Sequence, residues 1–362
     1  MIQALKSLSN RFLGRGEAAI TVPPMDGALK ANRLIEDAEL LATFDDPQDM
    51  ASDGKSLLIA DGNKVLRWQG GEVASFDKPV TALACLSDGG LVVALAGTEI
   101  RIKGGARDGK SWNSAAGKPF VAINALSVGA NGAIRATDGS REYPAEQWCR
   151  DLMELGHTGR AIVIDAGGEA REIAGGLHYA FGACEADGDV WVSESWRHRV
   201  VAYAAGGGRG HAVVDRLPGY PSRLTPAKGG GFWLTVFVTR TLLVEFVLRE
   251  HGYRRRMIDE IDPRYWVAPA LTTGNTFLEP LQGAHIKTMG VLKPWAPPRS
   301  YGLVIRLAPD GLLRYSLHSR VDGKNHGVVA AVELDGFLHL LAKGPKRLLR
   351  LSIADAERSL GL

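Results

Sequence analysis

Apolar residues along this chain come in short runs, each followed by a tight turn and a second run. Strings such as MASDGKSLLIADGNKVLRW from Met50, ACLSDGGLVVALAGTEIRI from Ala84 and SVGANGAIRATDG from Ser127 carry the theme. It returns in ACEADGDVWVSESWRHRVVAYAA from Ala183, PAKGGGFWLTVF from Pro226 and VELDGFLHLLAKGPKRLLRLSI from Val332. Short alternating runs that lead into β-branched and large apolar residues predict strands. The turns between them fall at Asp53-Gly54, Asp88-Gly89, Asn131-Gly132, Asp187-Gly188 and Asp335-Gly336. Such pairs suit hairpins because the turn needs positive φ, which glycine adopts without a Cβ clash.

These turns recur roughly every 35 to 55 residues, apart from a longer final gap, which is close to blade-sized repeats of about 40 to 50 residues. Each unit reads as a small antiparallel meander, too small to bury both faces alone, and radial stacking against its neighbours solves that problem. About six units fit between residues 40 and 353. No composition shift marks a linker between two sandwiches, and no strand–helix alternation supports a parallel sheet. The expectation is an all-β, six-bladed β-propeller over residues 41–362, with residues 1–40 as an N-terminal extension packing on it or closing it. Two segments break the rhythm. Residues 139–158 include a helical stretch, with Trp148, Leu152 and Leu155 spaced to share one face. Residues 249–299 form a long insertion carrying Trp266, Phe277 and Trp295. Such excursions often serve as lids or binding loops, and a cap over the central opening and a packed surface elaboration both stand open here.

Composition adds exclusions. The 362 residues are 45% hydrophobic and 23% charged, and 44 glycines with 17 prolines suit a turn-rich fold. A formal charge of +3 is too small to imply a nucleic-acid partner. The basic trio Arg254, Arg255 and Arg256 stands beside Asp259, Glu260 and Asp262 and reads as a solvated face. Cys85, Cys149 and Cys184 are odd in number and far apart, so they read as reduced thiols without a disulfide or zinc role. Residues 1–19 lack the h-region of a signal peptide, and no apolar run is long enough to be a transmembrane helix. The expected location is therefore cytoplasmic, with residues 2–14 read as a short amphipathic helix. No GxSxG elbow or HExxH pair occurs, and Gly206-Gly207-Gly208-Arg209-Gly210 lacks the rest of a phosphate loop.

The stretch HTGRAIVIDAGGEAREIAGGLHYAFGACEADGDVWVSESWRHRVVAYAA from His157, followed by VVDRLPGYPSRLTPAKGGGFWLTVF from Val213, resembles the strictosidine synthase-like family. That family includes plant strictosidine synthases and the animal adipocyte plasma membrane-associated protein. It is related more distantly to regucalcin, gluconolactonases and paraoxonases. Leu217-Pro218-Gly219-Tyr220-Pro221 followed by Gly231-Phe232-Trp233 is the most specific element. Thr137-Asp138-Gly139-Ser140, Gly159-Arg160 and the closing GVVAAVELDGFLHLLAKGPKRLLRL from Gly327 add to it. The resemblance implies a six-bladed propeller with its active site on the central axis.

In calcium-dependent relatives the starts of the innermost strands supply carboxylate and amide oxygens to an axial Ca²⁺. Here Gln48 stands for the glutamate, Asn124-Ala125 keeps the asparagine alone, Phe181 replaces an asparagine, and Pro221-Ser222-Arg223 replaces Pro-Asp-Asn. Arg223 brings a fixed positive charge that cannot ligate a metal. No metal ligand and no cofactor are therefore expected, and calcium is disfavoured. The plant synthases place a glutamate near the start of the last blade. Residues 322–327 hold none, and His326 is the titratable group nearest that position.

The candidate catalytic set is thus His326 to move a proton, Arg223 to hold an anionic or carbonyl oxygen, and Asn124 to donate a hydrogen bond. Gln48, His178, Tyr179, Phe181 and Ser222 are the candidate substrate-binding residues. A turn histidine at 326 and a buried His178–Tyr179 pair are the structural alternatives, and Glu194 and Asp138 read as backbone-holding carboxylates. The implied partner is a small-molecule substrate, and the implied activity is metal-independent hydrolase, lactonase or condensation/lyase chemistry rather than true strictosidine synthesis. A non-catalytic binding or scaffold propeller and a calcium-dependent lactonase or esterase remain alternatives.

Overall fold

Six four-stranded antiparallel sheets follow one another along the chain. The computed structural model describes residues 22–273 and 300–362, with a two-residue strand pair, Lys287–Thr288 and Val291–Leu292, between them. The proposed helix at 2–14 and the residues Phe277 and Trp295 lie outside the described residues. The innermost strands of blades 1 to 6 are Pro47–Ser52, Val80–Cys85, Ile123–Val128, Ala180–Ala186, Gly219–Pro226 and Val328–Leu334. Each packs beside the next, and the sixth packs beside the first. The chain forms the all-β, six-bladed propeller that its repeats predict.

The Asp-Gly and Asn-Gly turns all occupy one structural position. In blades 1, 2, 3, 4 and 6 they join the innermost strand to the second, with φ near +85° at Gly54, +87° at Gly89 and +75° at Gly132. Blade 5 makes the same connection through Gly229-Gly230-Gly231 and then carries the insertion between its second strand, Phe232–Thr239, and its third, Leu303–Leu307. That accounts for the long final gap. The ring closes on itself: Glu39–Thr43 pairs antiparallel with Arg347–Ser352 as the outermost strand of blade 6. Backbone hydrogen bonds between the two ends of the propeller sequence thus lock the circle.

Between blades the core is built from the second strands and their neighbours. Ile59, Val92, Ile134, Ile162, Leu234 and Leu340 are fully buried, as expected for meanders covered on both faces. The helix in the 139–158 segment runs over Trp148–Met153. Leu152 packs inward, but Leu155 lies past the helix end with φ +60° and is 45% exposed, so it does not share the predicted face. The insertion starts earlier than expected, with helices Leu242–Arg249 and His251–Glu260. Their Val244, Val247, Met257 and Ile258, with Trp266, pack on Tyr220, Phe237, Leu152 and Met153. The basic trio is split: Arg254 is buried and donates to Leu248 O, whereas Arg255 and Arg256 pair with Glu154 and Glu260. The three cysteines are free thiols. No helix among the described residues is long and apolar enough to cross a membrane.

One irregularity repeats in every blade. Near its start each innermost strand slips register against the second strand: at Pro47/Asp49, Val80/Ala82, Ile123/Ala125, Ala180/Ala183, Pro221/Leu224 and Val328/Ala330. A bulge leaves residues without a cross-strand partner and re-aims them. The residues lifted out of the ladder are Gln48, Thr81, Asn124, Phe181 with Gly182, Ser222 with Arg223, and Val329. This ring of bulges is the hub.

Candidate functional site

Arg223 extends from blade 5 into that hub and touches all the other blades. Its Nη1 donates to Val329 O of blade 6 at 3.1 Å, and its Nη2 donates to Thr81 O of blade 2 at 3.2 Å and Asn124 O of blade 3 at 2.5 Å. Nε lies 3.1 Å from Asp49 Oδ1 of blade 1. The guanidinium also stands over the Phe181 ring of blade 4, 5.2 Å from its centroid. The physical logic follows from the bulges. Slipped residues turn carbonyl oxygens away from the sheet ladder, buried carbonyls need donors, and a planar cation with five N–H groups supplies several at once. Gly182 makes room for this: a Cβ there would sit 2.5 Å from Ser222 O and 2.9 Å from Arg223 Cα.

Asp49 is the counter-charge, and the sequence reading had passed it over in favour of its neighbour Gln48. Its Oδ1 accepts from Met50 N at 2.8 Å and its Oδ2 from Leu83 N at 2.9 Å. Burial pushes its carboxyl up to about 6, against the pull of Arg223 and the two backbone donors. Burial likewise lowers the Arg223 pKa from its ordinary value. The hub does not fit a resident divalent cation. Calcium takes six to eight oxygens, yet the axial carbonyls are spent on a guanidinium, and the Asn124 amide oxygen accepts from Thr137 Oγ1 at 2.7 Å. Among the described residues no group of three or more His, Cys, Asp or Glu could hold a metal ion.

On the side where the innermost strands begin, a cleft of about 40 Å³ opens above the guanidinium. Gln48, Thr81, Asn124, Glu146, Arg223 and Lys343 supply its polar lining, and Trp148, Tyr179, Phe181 and Phe237 its aromatic walls. Lys343, at the end of the second strand of blade 6, donates to Gln48 Oε1. Burial and then the nearby Arg223 lower its pKa. Phe181 and Phe237 meet edge to face at 5.2 Å, and Tyr179 stacks on Trp196 at 4.5 Å. Tyr179 is held at φ +60°, a left-handed conformation unusual for a bulky residue. On the other side of Arg223 lies a second cavity of about 260 Å³ lined in part by Asp49, Gly182 and Glu333. The Arg223–Asp49 pair therefore plugs the axis between two spaces.

Of the predicted site residues, Arg223, Asn124, Gln48, Tyr179 and Phe181 converge on the cleft. His326, His178 and Ser222 do not line it. His326 is buried at the junction of blades 5 and 6, with Nδ1 2.7 Å from Ser300 Oγ and Nε2 2.7 Å from Arg320 O. Both ring nitrogens are thus engaged in holding a turn. His178 sits beside Arg197, with Nε2 3.0 Å from Nη2. Ser222 is turned into its own blade, 2.7 Å from Thr235 Oγ1. Asn124 is tied as well, since Nδ2 donates to Ala180 O at 3.0 Å. Glu194 accepts from His178 N and Arg199, and Asp138 accepts from Ala122 N and Arg160. Lys343 escaped the sequence reading because it closes a strand-like run as the K of AKGPK, where a lysine is ordinary.

These features define a six-bladed β-propeller. A gluconolactonase of Xanthomonas campestris superposes with a TM-score of 0.54 over 92% of this chain and 95% of that one, at 17% identity. A luciferin-regenerating enzyme gives 0.52 over 88% and 94%, at 12% identity. In sequence the chain is similar to human adipocyte plasma membrane-associated protein, 27% identical over 245 residues that make up 66% of this chain and 53% of that protein. It is also similar to strictosidine synthase-like protein 6 of Arabidopsis thaliana, 28% identical over 123 residues, or 33% of each. The resemblance to the strictosidine synthase-like family thus holds, at low identity. The chain spans about half the length of the adipocyte proteins it matches. No family profile matches the chain.

Proposed function

We propose that this chain is a metal-independent propeller enzyme of hydrolase, lactonase or condensation/lyase type, acting on a small organic substrate in the hub cleft. The observation that carries the reading is the Arg223 guanidinium, held by all the other blades where the resemblance places an axial cation. A fixed charge in a water-poor site stabilises a developing oxyanion without reorganising. Lys343 adjoins it, and with its pKa lowered it takes the proton-moving role expected of His326. Gln48 positions that ammonium, and the aromatic walls exclude water.

The test is metal content by elemental analysis together with turnover of a panel of aryl esters and lactones, with and without EDTA. Turnover that ignores the chelator and is lost in Lys343→Met supports the reading. Chelator-sensitive turnover with stoichiometric calcium overturns it. A second reading, a non-catalytic binding propeller, draws on the small cleft and on an arginine already committed to protein acceptors. The absence of turnover across the panel would favour it.

A further inference from the structure

Charge is unevenly distributed around the hub. Arg223 is balanced by Asp49, which lies within ion-pair distance of it. Lys343 has no such partner: among the described residues no carboxylate stands within 4.0 Å of its Nζ, and its hydrogen-bond acceptor is the neutral Gln48 amide. Asp46, Glu146 and Asp49 act on it as charges beyond ion-pair distance, Glu146 from the cleft lining itself, and Gln48 Nε2 already donates to Asp46 Oδ1 at 2.6 Å. An ammonium has three donors, so most of the Lys343 hydrogen-bonding capacity is unspent in a half-buried setting. A cation in such surroundings calls for an anion.

The remaining walls say which anion. Tyr179, Phe181, Trp148 and Phe237 present ring carbons, which suits an apolar tail and not a multiply charged phosphate. One water needs roughly 10 to 15 Å³ and benzene has been held by a cavity of about 150 Å³. The cleft volume of about 40 Å³ lies between these, enough for roughly three heavy atoms, the size of the carboxylate group itself, with a tail left to lie along the aromatic walls. We infer that the cleft is an anion slot for a small monocarboxylate, with the carboxylate on Lys343 Nζ and a short apolar tail against Phe181 and Tyr179. This deepens the proposed reading of the same site and rests on the cleft being where small molecules bind.

The experiment is isothermal titration calorimetry of the full chain at constant ionic strength with butyrate, butyramide, phenylacetate and inorganic phosphate. Saturable binding of butyrate, with butyramide and phosphate bound at least about tenfold more weakly, is expected. Phenylacetate should bind more weakly than butyrate, because a rigid ring is wider than a propyl chain that must lie along the aromatic walls. Lys343→Met should weaken butyrate at least about tenfold while Lys343→Arg retains most of the affinity, which separates lost charge from lost folding. Equal binding of butyrate and butyramide, unchanged butyrate affinity in Lys343→Met, or preference for phosphate would overturn the inference. So would no saturable carboxylate binding at all. Carboxylate binding without turnover of any ester or lactone upholds the slot and sinks the enzymatic reading, whereas turnover without carboxylate binding does the reverse.

Discussion

Replacing Arg223 with methionine keeps much of the side-chain length and removes the charge at the hub. Thr81 O, Asn124 O and Val329 O lose the Arg223 donor, Val329 O keeping Thr235 Oγ1, and Asp49 loses its partner. Breaking a buried ion pair from one side costs about 3 to 5 kcal/mol, and each buried acceptor left bare costs about 1 to 3 kcal/mol. The cavity of about 260 Å³ next to Arg223 lets water replace the lost donors, so the ion-pair cost alone, about 4 kcal/mol, is the expectation. With an unfolding entropy of about 2.1 cal/mol/K per residue, that lowers Tm by about 5 to 6 °C. Asp49→Asn alone should cost less, because Arg223 keeps its carbonyl acceptors, and the double variant should recover about 2 kcal/mol of the summed losses. The pH profile carries a sign as well. Asp49 titrates near 6 in the folded protein, above its ordinary range, so the folded state holds a proton that the unfolded chain has released. Stability from this group is present below pH 4 and is lost as pH rises to 6, by about 3 kcal/mol. In Arg223→Met the downward pull is gone and the loss extends to higher pH, and in Asp49→Asn this limb disappears. Urea unfolding of the four proteins from pH 4 to 8 measures all of this. An Arg223→Met protein within 1 kcal/mol of the parent, or additive single losses, would refute the keystone role.

Other perturbations test neighbouring parts of the argument. Gly182→Ala should destabilise by about 1 to 3 kcal/mol through overpacking against Ser222 and Arg223, and a parent-like Tm would show that the blades do not meet there. Deleting residues 1–44 removes the Glu39–Thr43 strand and leaves Arg347–Ser352 as an open edge. Size-exclusion chromatography should then show association, and a monomer of unchanged Tm would contradict closure by that strand. Burial holds His318 down to about 4, with its ring between Tyr301 and Ser316. The unfolded chain therefore takes up that proton first, and stability is lost as pH falls from 6.5 to 4, by about 3 kcal/mol. His318→Gln should flatten that acid limb, and an unchanged slope in urea titrations would place the proton elsewhere.

Much of the ring was legible because its turns obey local chemistry. Gly54, Gly89, Gly132, Gly188 and Gly336 all take positive φ at the same connection, so a two-residue signal marked five of the six blades before any tertiary contact was known. The sixth was hidden by a glycine run and by an insertion that moved the next turn far downstream. Helix prediction failed at Leu155 for a complementary reason. Spacing alone placed it on the apolar face, but the helix had already ended in a left-handed turn at that residue.

The hub was legible in its side chains and illegible in its partners. Positions 48, 124, 181 and 223 could be matched to family turn positions, and each reaches the cleft. What the sequence does not display is that Thr81 and Val329 serve through carbonyl oxygens, which every residue has. Only the register slips reveal which carbonyls have left the ladder. The same slip explains why Asp49 was missed. Strict alternation from Gln48 would send its neighbour to the opposite face, but a bulge breaks that alternation, leaving Gln48 at the cleft with Lys343 and Asp49 on the axis with Arg223. His326 shows the converse error, in which proximity along the chain to a family position suggested chemistry while both ring nitrogens were already spent. An axial cation and a guanidinium solve one problem: inward-turned oxygens at the centre of a ring need positive charge. With Arg223 supplying it and Asp49 balancing Arg223, Lys343 is left as a hub cation with no carboxylate within 4.0 Å among the described residues.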